Sequence, residues 1–100
     1  MITIKVFNKL KERDNKLNYS QFSREYLGAN RNYLHHCKHH NKDISDTALL
    51  TLFGNLKKPT KVWNELYEET KSERYLNNYE FYKTLTEEVF EEIERRSMYC

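Results

Sequence analysis

The sequence predicts an all-α protein, a compact bundle of five to six helices containing a helix-turn-helix, and three observations lead there. Glycine and proline number only two and one in 100 residues, too few for the tight turns of an all-β chain. Charged residues make up 32% of the chain and fall between apolar residues that recur every three to four positions, the pattern of amphipathic helices rather than of a disordered tract. The length suits one domain whose core is large enough to fold but of modest stability.

Each helix has its own signal. Ile2, Val6 and Leu10 recur at i, i+4 and i+8 beside Phe7, predicting a first helix over about residues 4–16 with Asp14-Asn15-Lys16 as its exit. A second helix starts near Tyr19-Ser20, capped by Asn18 or by Tyr19-Ser20, and buries Phe22, Tyr26 and Leu27 on one face. Gly28 stops it, because glycine takes the positive φ at which helices commonly end. Asn30 then caps a third helix over about residues 31–39, with Tyr33, Leu34 and Cys37 inward and Arg31, Asn32, His35, His36, Lys38 and His39 outward.

The second half of the chain continues the pattern. Ser45 caps a fourth helix, with Ile44 and Leu49 at the hydrophobic-staple positions and Ala48, Leu49, Leu52, Phe53 and Leu56 on its buried face. That helix is expected to end at Lys57-Lys58, before Pro59. Thr60 is expected to cap a fifth helix over 61–70, striped by Val62, Trp63, Leu66 and Tyr67. Residues 73–78 either extend a helix through Tyr75 and Leu76 or break at Asn77-Asn78. The last helix runs from about Tyr79 to Arg95, striped by Tyr82, Leu85, Val89 and Ile93, with Phe81 and Phe90 flanking.

The net charge of +2 conceals an asymmetry. Residues 1–61 carry 12 Lys and Arg against 5 Asp and Glu, a balance of +7; residues 62–100 carry 5 against 10, a balance of −5. A basic half suits a polyanionic partner, and an acidic half does something else. The organisation expected is a basic helix-turn-helix part over 1–58 and acidic C-terminal helices over 59–100 that pack on it and offer a dimerisation or partner surface.

Several classes are disfavoured. Cys37 and Cys100 are too few for a disulfide framework, which points to a reducing compartment. Neither a secretory leader, a membrane span nor a prenylated end is expected. The expected location is the cytoplasm, and the host cytoplasm if the gene is carried by a phage, an origin suggested by the abundance of Lys, Asn, Tyr, Ile and Phe with their A/T-rich codons. The run His35-His36-Cys37-Lys38-His39-His40 contains i, i+4 histidine pairs able to chelate zinc, but no four-ligand set. Cys37 stands at helical spacing from Leu34, where a small core residue is expected rather than a nucleophile. With no phosphate loop, serine elbow or carboxylate pair, neither an enzyme nor a cofactor is expected.

Function turns on residues 21–34, Gln21-Phe22-Ser23-Arg24-Glu25-Tyr26-Leu27-Gly28-Ala29-Asn30-Arg31-Asn32-Tyr33-Leu34. They spell a short helix, a glycine turn and a second short helix, the unit that sets its second helix in the DNA major groove. Ser23 is the small residue where the second helix crosses the first. Residues 18–56 resemble the repressor/Cro-type helix-turn-helix domain of phage and bacterial regulators, through Ser20-Gln21, the Gly28 turn, a polar linker and Ser45-Asp46-Thr47-Ala48-Leu49-Leu50-Thr51-Leu52. A closer likeness is to small uncharacterised phage-type proteins with Phe-Ser-x-x-aromatic-Leu-Gly, here Phe22 to Gly28. One departure is that Arg24, not a small residue, stands four positions before Gly28.

The resemblance implies a small DNA-binding transcriptional regulator. It places Asn30, Arg31, Asn32 and His35 at base edges, where Arg pairs with guanine and Asn with adenine, and Gln21 at a phosphate. His36, Lys38, His39 and Lys42 are candidate phosphate contacts. Double-stranded DNA is the expected partner, and two-fold dimers on paired half-sites are common in that family. The aromatic C-terminal half is where a homodimer contact is expected. The alternative is a phage-type protein-interaction module, a host-protein inhibitor or adaptor using that acidic, aromatic half. Duplex RNA on the same basic face is a third reading.

Overall fold

A computed structural model of the protein describes residues 1–98, and Cys100, one of the chain's two cysteines, lies outside them. The described residues form five helices and no strand: α1 (Ile2–Arg13), α2 (Tyr19–Glu25), α3 (Tyr33–His39), α4 (Asp46–Thr70) and α5 (Glu73–Ser97). The chain divides into two units, Met1–Leu52 and a second from Phe53 onward, with the boundary inside α4.

The first unit gathers α1, α2, α3 and the start of α4 around one apolar core. Val6, Phe7 and Leu10 of α1 are buried as their spacing predicts, with Leu17, Phe22, Leu27, Leu34, Ile44, Leu49 and Leu52. Burying each such side chain is worth about 1.5–3 kcal/mol. Phe7 ties α1 to α2 by edge-on contacts with Tyr19 at 4.7 Å and Phe22 at 5.5 Å. α1 ends at Arg13, and Asp14-Asn15-Lys16 form its exit as their sequence predicts: Asp14 turns extended and its carboxylate accepts the Lys16 N–H at 3.1 Å. Lys11 secures the exit by donating to the Leu17 carbonyl at 2.6 Å.

α4 opens as its sequence predicts and closes elsewhere. Ser45 Oγ accepts the Ala48 N–H at 3.1 Å, and Ile44 and Leu49 are both buried as a staple. The helix does not stop before Pro59 but carries it inside and runs on to Thr70. Proline removes one donor and strains the preceding turn, at about 3 kcal/mol. Contacts with α5 on both sides of it oppose a break: Phe53 meets Phe90 at 5.7 Å, and Trp63 meets Tyr75 at 5.5 Å. Thr60 is accordingly no cap. Its hydroxyl donates to the Leu56 carbonyl at 2.8 Å and meets Thr86 Oγ1 at 3.2 Å.

The second unit is thus an antiparallel pair, the later part of α4 against α5. Lys71, at φ +53°, makes the connection. α5 begins at Glu73, so residues 73–78 are helical and Asn77-Asn78 do not interrupt. Leu56, Leu85 and Val89 are buried, whereas Val62 and Phe90, placed by sequence on or beside apolar stripes, are exposed. Near the end of α5, Glu92 accepts from Arg95 through both oxygens, at 2.8 and 2.6 Å, and from Arg96 at 3.0 Å. No helix is long and apolar enough to cross a membrane among the described residues.

Candidate nucleic-acid interface

The site is the segment from α2 through α3. Asn18 begins it: its Oδ1 accepts the Gln21 N–H at 2.8 Å, which satisfies a first-turn donor. Phe22 and Ser23 turn inward and Arg24 and Glu25 outward. After Glu25 the chain tightens, with Tyr26 and Leu27 both donating to the Phe22 carbonyl and Ala29 donating to that of Ser23 at 2.9 Å. Gly28 takes φ +62°, the left-handed region, as its sequence position predicts. A Cβ there would also stand 3.1 Å from Thr51 Cγ2, so the turn lies close on α4.

α3 starts later than its sequence predicts, at Tyr33 rather than Arg31. Asn30 Oδ1 accepts the Asn32 N–H at 2.9 Å, and this local ring competes with a helical start. Asn32 stands at the cap position without a side-chain cap bond. A first-turn donor finds its partner on α2 instead: the Ser23 hydroxyl, fully buried, accepts the Leu34 N–H at 3.1 Å. Ser23, five positions before Gly28, is therefore the small buried residue where α2 meets α3, and Arg24 is exposed. Tyr33 holds the far side through its phenol oxygen, which accepts the Ser45 N–H at 2.8 Å.

Leu34 and Cys37 face the core, leaving His35, His36, Lys38 and His39 exposed. Asn30, Arg31 and Asn32 are exposed on the turn leading into α3, so the structure gathers these seven residues on one short stretch. Asn30, Asn32, Tyr33 and His36 line a shallow hollow of about 230 Å³. Lys42 is exposed beyond α3, its N–H bound to the Cys37 carbonyl at 2.8 Å. Gln21 is half-buried on α2, and its amide already donates to both Glu25 oxygens at 3.3 Å, so a phosphate there must displace them.

Tyr19 is the residue that sequence reasoning missed, having read it only as part of a cap. Its ring lies 4.9 Å from that of His35, and its phenol accepts from Lys38 Nζ at 3.1 Å. Two exposed candidates are thereby held in place from α2. The histidines also cluster: His40, outside the predicted set, has its ring 4.3 Å from that of His36 and 5.1 Å from that of His39. No group of three or more metal-ligating side chains occurs among the described residues.

Neither a curated protein nor a solved structure matches the chain. A family model described as a family of unknown function, DUF6626, matches residues 4–99. The match takes in the α2–α3 segment and nearly everything else, and the chain belongs to the DUF6626 family.

Proposed function

We propose that this protein is a small DNA-binding transcriptional regulator, of phage or mobile-element origin, that reads duplex DNA with α3 and the turn before it. The observation that carries the reading is an exposed run, Asn30, Arg31 and Asn32 on the turn before α3 and His35, His36, Lys38 and His39 on α3 itself, whose other side, Leu34 and Cys37, is locked in the core. The side chains offered are those that donate to base edges and phosphates. A rigid backing supports the role, because a misplaced donor loses its base.

The test is an anisotropy titration of a labelled random-sequence duplex at several salt concentrations. Binding whose logarithm falls linearly with log salt reports phosphate neutralisation. Arg31→Glu with Lys38→Glu is expected to lower affinity at least about tenfold and to reduce the salt slope by about 1 for each phosphate that the variant no longer neutralises. Absence of binding at low salt, or binding untouched by the double variant, overturns the reading. It would turn attention to the protein-interaction alternative in the acidic half.

A further inference from the structure

The second unit carries a face with no role in the proposed DNA binding. A cleft of about 500 Å³ runs along it, lined by Lys57, Lys58 and Lys61 of α4 and Tyr79 of α5, with Gly54 at one end. α5 continues the face: Lys83 Nζ lies 5.7 Å over the Tyr79 ring and 4.0 Å from Glu87 Oε1. Glu87, Glu91 and Glu94 follow at i, i+4 and i+7, with Glu87 and Glu91 exposed. Between the basic row and the acidic row stands Phe90, 46% exposed, its ring against Phe53, over which Lys57 Nζ sits at 5.5 Å.

Gly54 has an unusual place on this face. Glycine inside a helix is disfavoured by about 1 kcal/mol relative to alanine. Neither a positive φ nor a close neighbour requires it, since a Cβ there would meet nothing within 4 Å. What its bare backbone provides is room at the end of the cleft.

We infer that this face docks a second copy of the chain. A two-fold axis parallel to the helices lays α4 of each copy on α5 of the other at the same level. The Phe53–Phe90 and Thr60–Thr86 contacts fix those levels. Lys57 and Lys58 of one copy then lie level with Glu87 of the second copy, with Glu91 about one turn beyond, and the reverse pair forms by symmetry. The same operation sets Phe90 of the second copy over Gly54, into the room left there. Opposite charges in side-by-side rows suit a two-fold contact, in which one patch meets itself and the assembly closes at two. A row of one sign alone would repel its copy.

The test uses the full chain without nucleic acid, so it stands apart from the DNA-binding reading. Sedimentation velocity over about 1–100 μM, a span that exposes mass action, is expected to show a dimer that weakens with salt. Lys57→Glu with Lys58→Glu, and separately Glu87→Lys with Glu91→Lys, are each expected to be monomeric, with circular dichroism confirming that the helices persist. An equimolar mixture of the two variants is expected to restore the dimer as a heterodimer, because each reversed row then meets its opposite. Gly54→Leu, which fills the seat for Phe90 with a good helix former, is expected to weaken the dimer at least about tenfold. A monomeric wild-type chain, variants that associate as well as the wild type, or a mixture that stays monomeric overturns the inference. A wild-type chain that stays monomeric while its three lysines bind inorganic phosphate assigns the cleft to an anion instead.

Discussion

The hydroxyl of Ser23 on α2 accepts the backbone N–H of Leu34 on α3 at 3.1 Å, in a place closed to water. One side chain thereby does two things: its small size lets the helices meet, and its oxygen satisfies a first-turn donor that the Asn32 side chain does not reach. Ser23→Ala keeps the size and removes the oxygen, leaving a buried N–H without a partner. The expected loss is about 1–3 kcal/mol by denaturant unfolding. Amide exchange at Leu34 should accelerate, whereas a bond of no consequence would leave both measurements unmoved.

Gly28 meets two constraints that can be separated. Its φ of +62° disfavours any other residue, and Thr51 Cγ2 stands 3.1 Å from where a Cβ would go. Gly28→Ala is expected to destabilise by about 1–2 kcal/mol from the backbone alone, with the crowding added. Thr51→Ser removes the methyl and keeps the hydroxyl that bonds the Thr47 carbonyl. On that background Gly28→Ala should cost less, and the difference in unfolding free energy measures the contact.

Pro59 sits inside α4, where it has no N–H to offer the carbonyl four residues back. Pro59→Ala should raise the stability of the chain by up to about 3 kcal/mol, read as a rise in Tm. A fall in Tm would mean that α4 depends on the bend or stiffness the proline imposes.

The Glu92 carboxyl is held at about 2, below an ordinary value of 4.5, chiefly by its hydrogen bonds from Arg95, reinforced by Arg96. A carboxyl whose folded value is depressed adds stability that is complete above pH 4.5 and disappears as pH falls toward 2. Arg95 is largely solvent-exposed, so screening limits the contribution to about 1 kcal/mol. Glu92→Gln should remove that increment at neutral pH and flatten the acid limb of Tm against pH. An unchanged limb would show that the cluster does not stabilise α5.

Local chemistry was legible in the sequence wherever a single residue decides the backbone. Asn18, Gly28, Ser45 and the Ile44–Leu49 staple all act as their types predict. The errors arose where packing outweighs a local rule. Pro59 and Asn77-Asn78 are breakers by type, yet α4 and α5 run through them while their rings touch along the pair. The start of α3 was misplaced because Asn30 spends its side chain on Asn32, a choice between two polar partners that helix periodicity does not register. Within the candidate site, the outward set on α3 followed from the inward spacing of Leu34 and Cys37. The support from Tyr19 did not, since it joins residues 16 and 19 positions apart across two elements.

Cys37 makes the candidate site observable through a residue that the chain already carries. Its free thiol is 5% exposed on the inner side of α3. A thiol reagent reaches it only when that helix opens, because reaction requires an exposed thiolate. With Cys100→Ser in place, the rate of modification becomes a clock for the opening of α3, running in the intact protein under native conditions. A duplex held by the opposite side of the helix would slow that clock, so one sulfur atom ties the local breathing of the structure to occupancy of its surface.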